Sequence, residues 1–211
     1  MLDFATTAFV SILFLVDPPG VVPAFIALTA KFTPDKQRRT ALIASVTTTL
    51  TLLGFALIGN VVFRMLGLSL PAFQIAGGFV LFLVALDMIR AQRSTKESPD
   101  ELTEHQGAED VAITPLAIPM LAGPGALSTV AVLMSHAKDP LEVSLVFAAI
   151  LLTGLICWVT LRLAQPIQRR LGMTGIHIVG RVLGLVLAGI AVQFVLNGLA
   201  AANIIPKPPA G

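Results

Sequence analysis

The residues best suited to binding chemistry lie at two points where proline and glycine interrupt apolar stretches of the chain. The first interruption reads Asp17-Pro18-Pro19-Gly20, and the second reads Ala122-Gly123-Pro124-Gly125. Proline removes a backbone donor and glycine weakens a helix, so both motifs leave backbone polar groups without helical partners. Within lipid, such groups are tolerated where they line a cavity inside the protein. Paired interruptions in two halves of a chain are typical of transporters that bind substrate near the bilayer midplane.

Asp17 is the strongest single candidate, because an ionised carboxylate inside a membrane needs a partner or water. One interpretation is that Asp17 faces a cavity and attracts a substrate ammonium or a coupling ion, H⁺ or Na⁺. The other is that Asp17 N-caps the half-helix that begins after it. Both can hold together, since a capping carboxylate still contributes negative charge to a neighbouring cavity.

The second interruption carries no acid and is followed by two hydroxyls, Ser128 and Thr129. Free amides at a helix start attract an anion such as a carboxylate. A zwitterionic amino acid could place its carboxylate here and its ammonium towards Asp17. The alternative is a simple proline kink, stabilised by Ser128 or Thr129 bonding back to a helix carbonyl.

The predicted substrate-binding residues surround the two interruptions and the glycine-rich part of the third apolar segment. They are Asp17, Pro18, Gly20, Pro23, Gln74, Gly77, Gly78, Gly123, Pro124, Gly125, Ser128 and Thr129. For Gln74 and the paired glycines, close helix packing is the alternative interpretation. His177 and Arg181 share one helical face and form a candidate gate, unless Arg181 snorkels to the interface.

The elements that position these residues are predicted from composition. Of 211 residues, 55% are hydrophobic and 12% charged, and the mean hydropathy is +0.88, which is typical of an integral membrane protein. Six apolar segments have the length of a membrane span. They cover 5–29, 41–63, 70–90, 111–135, 142–164 and 175–200.

Basic residues follow the first, third and fifth of these segments, which predicts that those connections face the cytoplasm. They are Lys31, Lys36, Arg38, Arg39, Arg90, Arg93, Lys96, Arg162, Arg169 and Arg170. Both termini are then outside, in the periplasm, and the second three helices run in the inverted orientation of the first three. A shift of 105 residues aligns Pro19 and Gly20 with Pro124 and Gly125, whereas Gly77 aligns with Gly184 at a slightly larger shift.

The predicted fold is therefore all-α, with six transmembrane helices in two inverted-topology repeats whose first and fourth helices are broken near the midplane. The first repeat covers 1–90, and an acidic cytoplasmic linker covers 91–110. The second repeat covers 111–200, and a short tail covers 201–211.

Other classes of function find little support in the sequence. It has no H-E-x-x-H zinc helix, G-x-S-x-G elbow or Walker loop, so we expect neither an enzyme nor a bound metal or cofactor. The basic residues are scattered at segment ends, which argues against nucleic acid as a partner. The expected partners are the lipid bilayer and a small zwitterionic solute.

Four ordered motifs resemble those of the MarC family of bacterial and archaeal inner-membrane proteins. They are the stretches 17–25, 73–78, 117–126 and 184–194, and the resemblance extends over nearly the whole chain. The resemblance implies a six-helix protein of the plasma (inner) membrane. By analogy with the family's small neutral amino acid transporters, it also implies movement of glycine, alanine or similar solutes.

Three functions therefore stay open from the sequence. The first is a secondary transporter or exporter of small neutral amino acids of the glycine, alanine, serine and threonine class, with alternating access around a midplane site. The second is a multidrug or metabolite efflux protein, although an aromatic content of 6% is low for a large apolar ligand. The third is a non-transporting membrane scaffold or regulator.

Overall fold

The computed structural model describes residues 1–90 and 108–206, and this part of the chain is helical, without strands. Its elements are α1 (Leu2–Val16), α2 (Pro18–Leu28), α3 (Pro34–Leu66), α4 (Leu70–Arg90), α5 (Ala108–Val111), a π-helical segment (Ala112–Leu121), α6 (Pro124–His136), α7 (Pro140–Arg162) and α8 (Ala164–Ala201). Most of the predicted acidic linker and the end of the predicted tail lie outside the described residues.

Five helical stretches of the described residues are long and apolar enough to cross a membrane. They are Leu2–Leu28, Pro34–Gly59, Leu70–Arg90, Pro140–Arg162 and Gly180–Ala201. The chain therefore has the helices of a multi-pass membrane protein. The fourth predicted span, 111–135, is not among them, because its longest apolar helix is only Gly125–His136.

Proline explains why this fourth segment is divided. Thr114 and Ile118 have extended backbone angles (φ −130° and −129°, both with ψ 120°) inside the π-helical segment. Each directly precedes a proline, and a proline ring disfavours helical angles in the residue before it. Gly123, before Pro124, is extended as well, with φ −77° and ψ 170°. Five of the six predicted spans are therefore long apolar helices, and the fourth, which the sequence predicts to be broken, is a segmented stretch between the third and the fourth of these five.

Four helices begin with proline, which suits a first helical position because that position needs no donor. α2 begins at Pro18 and α6 at Pro124, while α3 begins at Pro34 and α7 at Pro140. Within each pair the two prolines lie 106 positions apart in the sequence. The same shift of 106 therefore relates two successive helix starts in each half of the chain.

Close glycine contacts join α4 to α8. A methyl group added at Gly78 would lie only 2.8 Å from the Ala191 carbonyl oxygen, and one at Gly184 would lie 3.1 Å from the Ala85 carbonyl oxygen. Glycine is needed at both positions because the two backbones approach so closely. These contacts are reciprocal, since Gly78 and Gly184, like Ala85 and Ala191, are 106 residues apart.

The buried core lies where the two halves of the chain meet. Its largest fully buried side chains include Ile12, Phe25, Leu52, Leu116, Leu121 and Ile150. Large apolar side chains also cover the outer faces of the helices, among them Leu57, Phe79, Leu83, Leu155 and Leu185. Such an apolar exterior is suited to contact with lipid tails.

Candidate functional site

The start of α2 is built around Asp17. α1 ends at Val16, and Asp17 takes a left-handed conformation with φ 45° and ψ 61°, which is uncommon for a residue other than glycine. The Gly20 N–H donates to the Asp17 carbonyl oxygen at 3.0 Å and to its carboxylate Oδ1 at 3.1 Å. Asp17 therefore caps α2, as one of its two predicted roles requires.

Gly20 allows this cap to form. A Cβ atom added there would overlap the Asp17 carboxylate and would lie 2.9 Å from Met88 Cε on α4. A larger residue would displace the carboxylate or the neighbouring helix. The Asp-Pro-Pro-Gly order is thus explained by one compact turn in which the acid folds back over the glycine.

The start of α6 has the same proline but a different cap. The Ala122 N–H closes the π-helical segment by donating to the Ala117 carbonyl oxygen at 2.8 Å. Gly123 then occupies the N-cap position, and no side chain caps α6. Within the described residues, the first turn of α6 therefore has no side-chain cap at its N-cap position.

The two helix starts share one cavity of about 100 Å³. Asp17 and Gly20 line it from one side, and Gly123 and Gly125 line it from the other. The remaining wall is apolar and includes Leu81, Val84, Met88, Met120 and Leu187. Residues separated by about half the chain thus line one small cavity, which has the Asp17 carboxylate and the start of α6 among its polar groups.

Gln74, Gly77 and Gly78 do not line this cavity. Gln74 contributes instead to a second cavity of about 900 Å³, together with His136 and Asn197. Gly77 and Gly78 are buried, and Gly78 packs against α8, so helix packing accounts for it. Their role in substrate binding therefore stays a prediction.

Ser128 and Thr129 are buried on α6 and also lie outside the smaller cavity. The Ser128 hydroxyl donates to the Phe73 carbonyl oxygen of α4 at 3.3 Å, so it joins two helices. The Thr129 hydroxyl has no hydrogen-bond partner among the described residues. The alternative prediction that these hydroxyls bond back to their own helix is therefore not what the structure has.

The other predicted residues have simpler places. Pro18 is buried at the start of α2, and Pro23 is half-buried inside that helix without lining the cavity. Pro124 is the first residue of α6. Arg181 is exposed on α8, and the side chain of His177 lies outside the described part of the molecule, so their pairing as a gate stays a prediction.

The sequence reasoning missed the apolar wall of the cavity. Leu81, Val84 and Met88 recur along one face of α4 at helical spacing and point towards the two helix starts. Their spacing was a usable signal, because a small site inside a membrane needs an apolar lining besides its polar groups.

Comparison with known proteins identifies the family of this chain. The profile described as MarC family integral membrane protein matches residues 2–203. The chain belongs to the MarC family. It is 41% identical over 199 residues to the UPF0056 membrane protein MJ1677 of Methanocaldococcus jannaschii, covering 94% of this chain and 97% of that protein.

Other MarC relatives are similar to the chain over about the same length. The chain is 36% identical over 193 residues to a UPF0056 membrane protein of Aquifex aeolicus, covering 91% and 90% of the two chains. It is 31% identical over 192 residues to the UPF0056 membrane protein YhcE of Escherichia coli, covering 90% and 89%. No solved structure matches the chain. The resemblance seen in the four motifs is confirmed, and the protein is an integral multi-pass membrane protein.

Proposed function

We propose that this MarC-family protein is a secondary transporter of small neutral amino acids, with alternating access around the cavity between the starts of α2 and α6. The observation that carries the proposal is the shared cavity itself, with Asp17 and Gly20 on one side and Gly123 and Gly125 on the other. Its polar ends differ in charge, and its volume is small.

The charge of the two ends favours a zwitterion. Asp17 supplies a carboxylate, which attracts an ammonium group. The start of α6 supplies free amides and the positive end of a helix dipole, which attract a carboxylate. An α-amino acid carries both groups close together and would satisfy both ends at once.

The volume favours a solute of the glycine, alanine, serine and threonine class. The cavity measures about 100 Å³. Pockets for drug-sized ligands measure about 300–1,000 Å³. The apolar wall suits a short side chain, so the cavity supports amino-acid transport better than multidrug efflux.

The second cavity supports a route into this site. Val132 and His136 of α6 line the larger cavity, whereas Gly125 lines the smaller one. Thr129 lies between Gly125 and Val132 on the same face of α6. Positions 125, 129, 132 and 136 are spaced by three or four residues, which places them on one helical face. The buried hydroxyl of Thr129, which has no partner in the described part of the chain, would lie beside a solute that passes from one cavity to the other.

The shift of 106 residues supports the inverted repeat that alternating access requires. It relates the prolines that begin α2 and α3 to those that begin α6 and α7, and it also relates the reciprocal glycine contacts of α4 and α8. The shift of 105 residues predicted from the sequence aligns identical residues. The shift of 106 residues aligns the helix starts instead, and it matches Asp17 with Gly123. We therefore propose a six-segment repeat whose two N-cap positions correspond.

Helix contacts support the same correspondence. α1 and α2 pack against α7, and their counterparts, the π-helical segment and α6, pack against α3. Likewise α2 packs against α8, and α6 packs against α4. Each contact between the halves thus has a partner contact, which is expected if the halves are related by a pseudo-two-fold axis. We keep the periplasmic placement of both termini and coupling to H⁺ or Na⁺ as parts of this proposal.

The test is counterflow in proteoliposomes containing the purified protein. Vesicles loaded with unlabelled alanine should accumulate labelled alanine, whereas protein-free vesicles should not. Imposed H⁺ or Na⁺ gradients then identify the coupling ion. If none of glycine, alanine, serine or threonine is exchanged under any gradient, the transport proposal fails and a scaffold role becomes the better account.

A further inference from the structure

A groove runs along the outer side of the α3–α7 pair, away from the cavity between the helix starts. It has a volume of about 370 Å³ and is lined mainly by leucine and valine. Its apolar side chains are Leu42, Val46, Leu50, Leu53, Leu151, Leu155 and Trp158. Gly154 forms the floor, where an added Cβ atom would overlap the Thr49 hydroxyl. The two helices therefore cross closely beneath a channel that opens towards lipid.

The groove offers no polar partner to an occupant. Ser45 and Thr49 are its only hydroxyl residues, and both hydroxyls donate to carbonyl oxygens of their own helix, each at 2.8 Å. From Leu42 to Leu53 the groove extends roughly 16 Å along α3. This is about half of the 30 Å hydrocarbon core, which is the depth of one lipid leaflet. Its length and chemistry suit one acyl chain.

The groove has a cationic end. On α7, Arg162 lies one turn beyond Trp158, with its guanidinium carbon 5.1 Å from the centre of the indole ring. On α3, Arg38 lies one turn before Leu42. Both arginines line a further cavity of about 170 Å³, together with Gln37 and Gln165.

The charge of this end is only partly balanced. Arg38 is near one carboxylate, Asp35, at 3.9 Å, and both side chains are exposed. Arg162 is exposed, and within the described residues its guanidinium has no carboxylate partner. A tryptophan beside an arginine at a helix end is typical of the membrane interface.

We propose that the α3–α7 groove binds an anionic phospholipid. One acyl chain lies in the groove, and the phosphate lies between Arg38 and Arg162, with Gln165 as a further donor; the Gln37 amide already donates to the Thr29 carbonyl oxygen at 2.9 Å. The positive end favours a lipid of net negative charge over a zwitterionic one. This proposal is independent of the transported substrate, since the groove shares no lining residue with the cavity between the helix starts.

Native mass spectrometry of the full-length protein tests the headgroup preference. Delipidated protein is mixed with phosphatidylglycerol or phosphatidylcholine of identical acyl chains, and the bound fraction is measured. We expect tighter binding of phosphatidylglycerol, and a loss of about fivefold in affinity for each of Arg38→Gln and Arg162→Gln. The matched control is a single variant, Arg90→Gln or Arg170→Gln, which also removes one charge but from an exposed arginine outside the groove.

Equal binding of the two lipids, or an equal loss in the control variant, would overturn the proposal. Inorganic phosphate supplies a further arm of the experiment. If phosphate alone competes as well as the intact lipid, the site is a surface anion site and the acyl groove is not involved.

Filling the groove tests the acyl chain separately. Leu155→Trp should fill the channel and reduce phosphatidylglycerol binding several-fold, whereas Leu152→Trp should not, because Leu152 is exposed on α7 but does not line the groove. Size-exclusion chromatography monitors folding and oligomeric state. If Leu155→Trp instead changes the oligomeric state and leaves lipid binding intact, the groove is an interface between copies of this chain.

Discussion

The starts of α2 and α6 share a proline and a place in the shared cavity, but they differ in their N-cap residue. Asp17 caps α2 with its own carboxylate, whereas Gly123 leaves α6 without a side-chain cap. The two positions correspond at the shift of 106 residues. A difference of one side chain thus gives the cavity a negative end and a positive end. Under the proposed repeat, symmetry accounts for where the cavity lies, and the difference at the N-cap accounts for what it would bind.

The largest expected effect comes from removing the negative end alone. Asn caps helices about as well as Asp, so Asp17→Asn should fold normally while losing the charge. We expect alanine counterflow to fall roughly 10- to 150-fold, the value of a hydrogen bond to a charged group. Asp139→Asn is the control, because Asp139 caps α7 at an exposed position. If Asp17→Asn transports alanine as well as the unchanged protein does, Asp17 only caps α2 and does not bind the substrate.

Gly20→Ala should disturb the geometry of the same end. Its methyl group would overlap the Asp17 carboxylate, so we expect a loss of about 1–3 kcal/mol in stability, measured by thermal unfolding in detergent. Gly54→Ala is the matched control, since nothing lies within 4 Å of a Cβ atom there. Its stability should stay the same or rise by up to about 1 kcal/mol. Equal stability of the two variants would show that the turn at Asp17 tolerates a side chain.

Gly123→Asp tests the positive end by making the two starts alike. The new acid should cap α6 and add roughly a few tenths of a kcal/mol of stability, because glycine is itself a tolerable N-cap residue. It should also repel a substrate carboxylate and raise the KM for alanine about tenfold. The two readouts are expected to move in opposite directions. If the variant is stabilised but its KM for alanine is unchanged, the substrate carboxylate does not bind at this end of the cavity.

The smallest effects are expected one turn further along α6. Thr129→Val removes a buried hydroxyl that has no partner among the described residues, so stability should rise by about 1 kcal/mol. Ser128→Ala should lower stability by about the same amount, because it loses the bond to the Phe73 carbonyl oxygen. Denaturation of both variants in the same detergent measures the contrast. A loss of stability in Thr129→Val would mean that its hydroxyl has a structural partner.

The local chemistry of the chain was largely predictable. Proline, glycine and the acid at position 17 indicated interrupted helices and a cap at the start of α2. The residues before Pro115 and Pro119 are extended, as proline sterics require. The predicted break in the fourth helix agrees with these irregular angles, although hydropathy alone counted 111–135 as a full span.

Tertiary placement was harder to predict. Gln74 and Leu81 share one face of α4, yet seven residues of helix separate them by roughly 10 Å, so they line different cavities. Sequence spacing gives the face of a helix but not the depth at which a neighbour crosses it. The partner of Ser128 is a carbonyl 55 residues away, which no local pattern indicates. The shift of 106 also needed the structure, because it matches N-cap positions occupied by unlike residues.

The most direct test of the central claim is competition during counterflow of labelled alanine. Alaninamide keeps the ammonium and lacks the carboxylate, whereas lactate keeps the carboxylate and lacks the ammonium. We predict that unlabelled alanine competes strongly and that both analogues compete weakly, because each engages only one end of the cavity. Competition by either analogue as strong as that by alanine would contradict a site built for a zwitterion between the two helix starts.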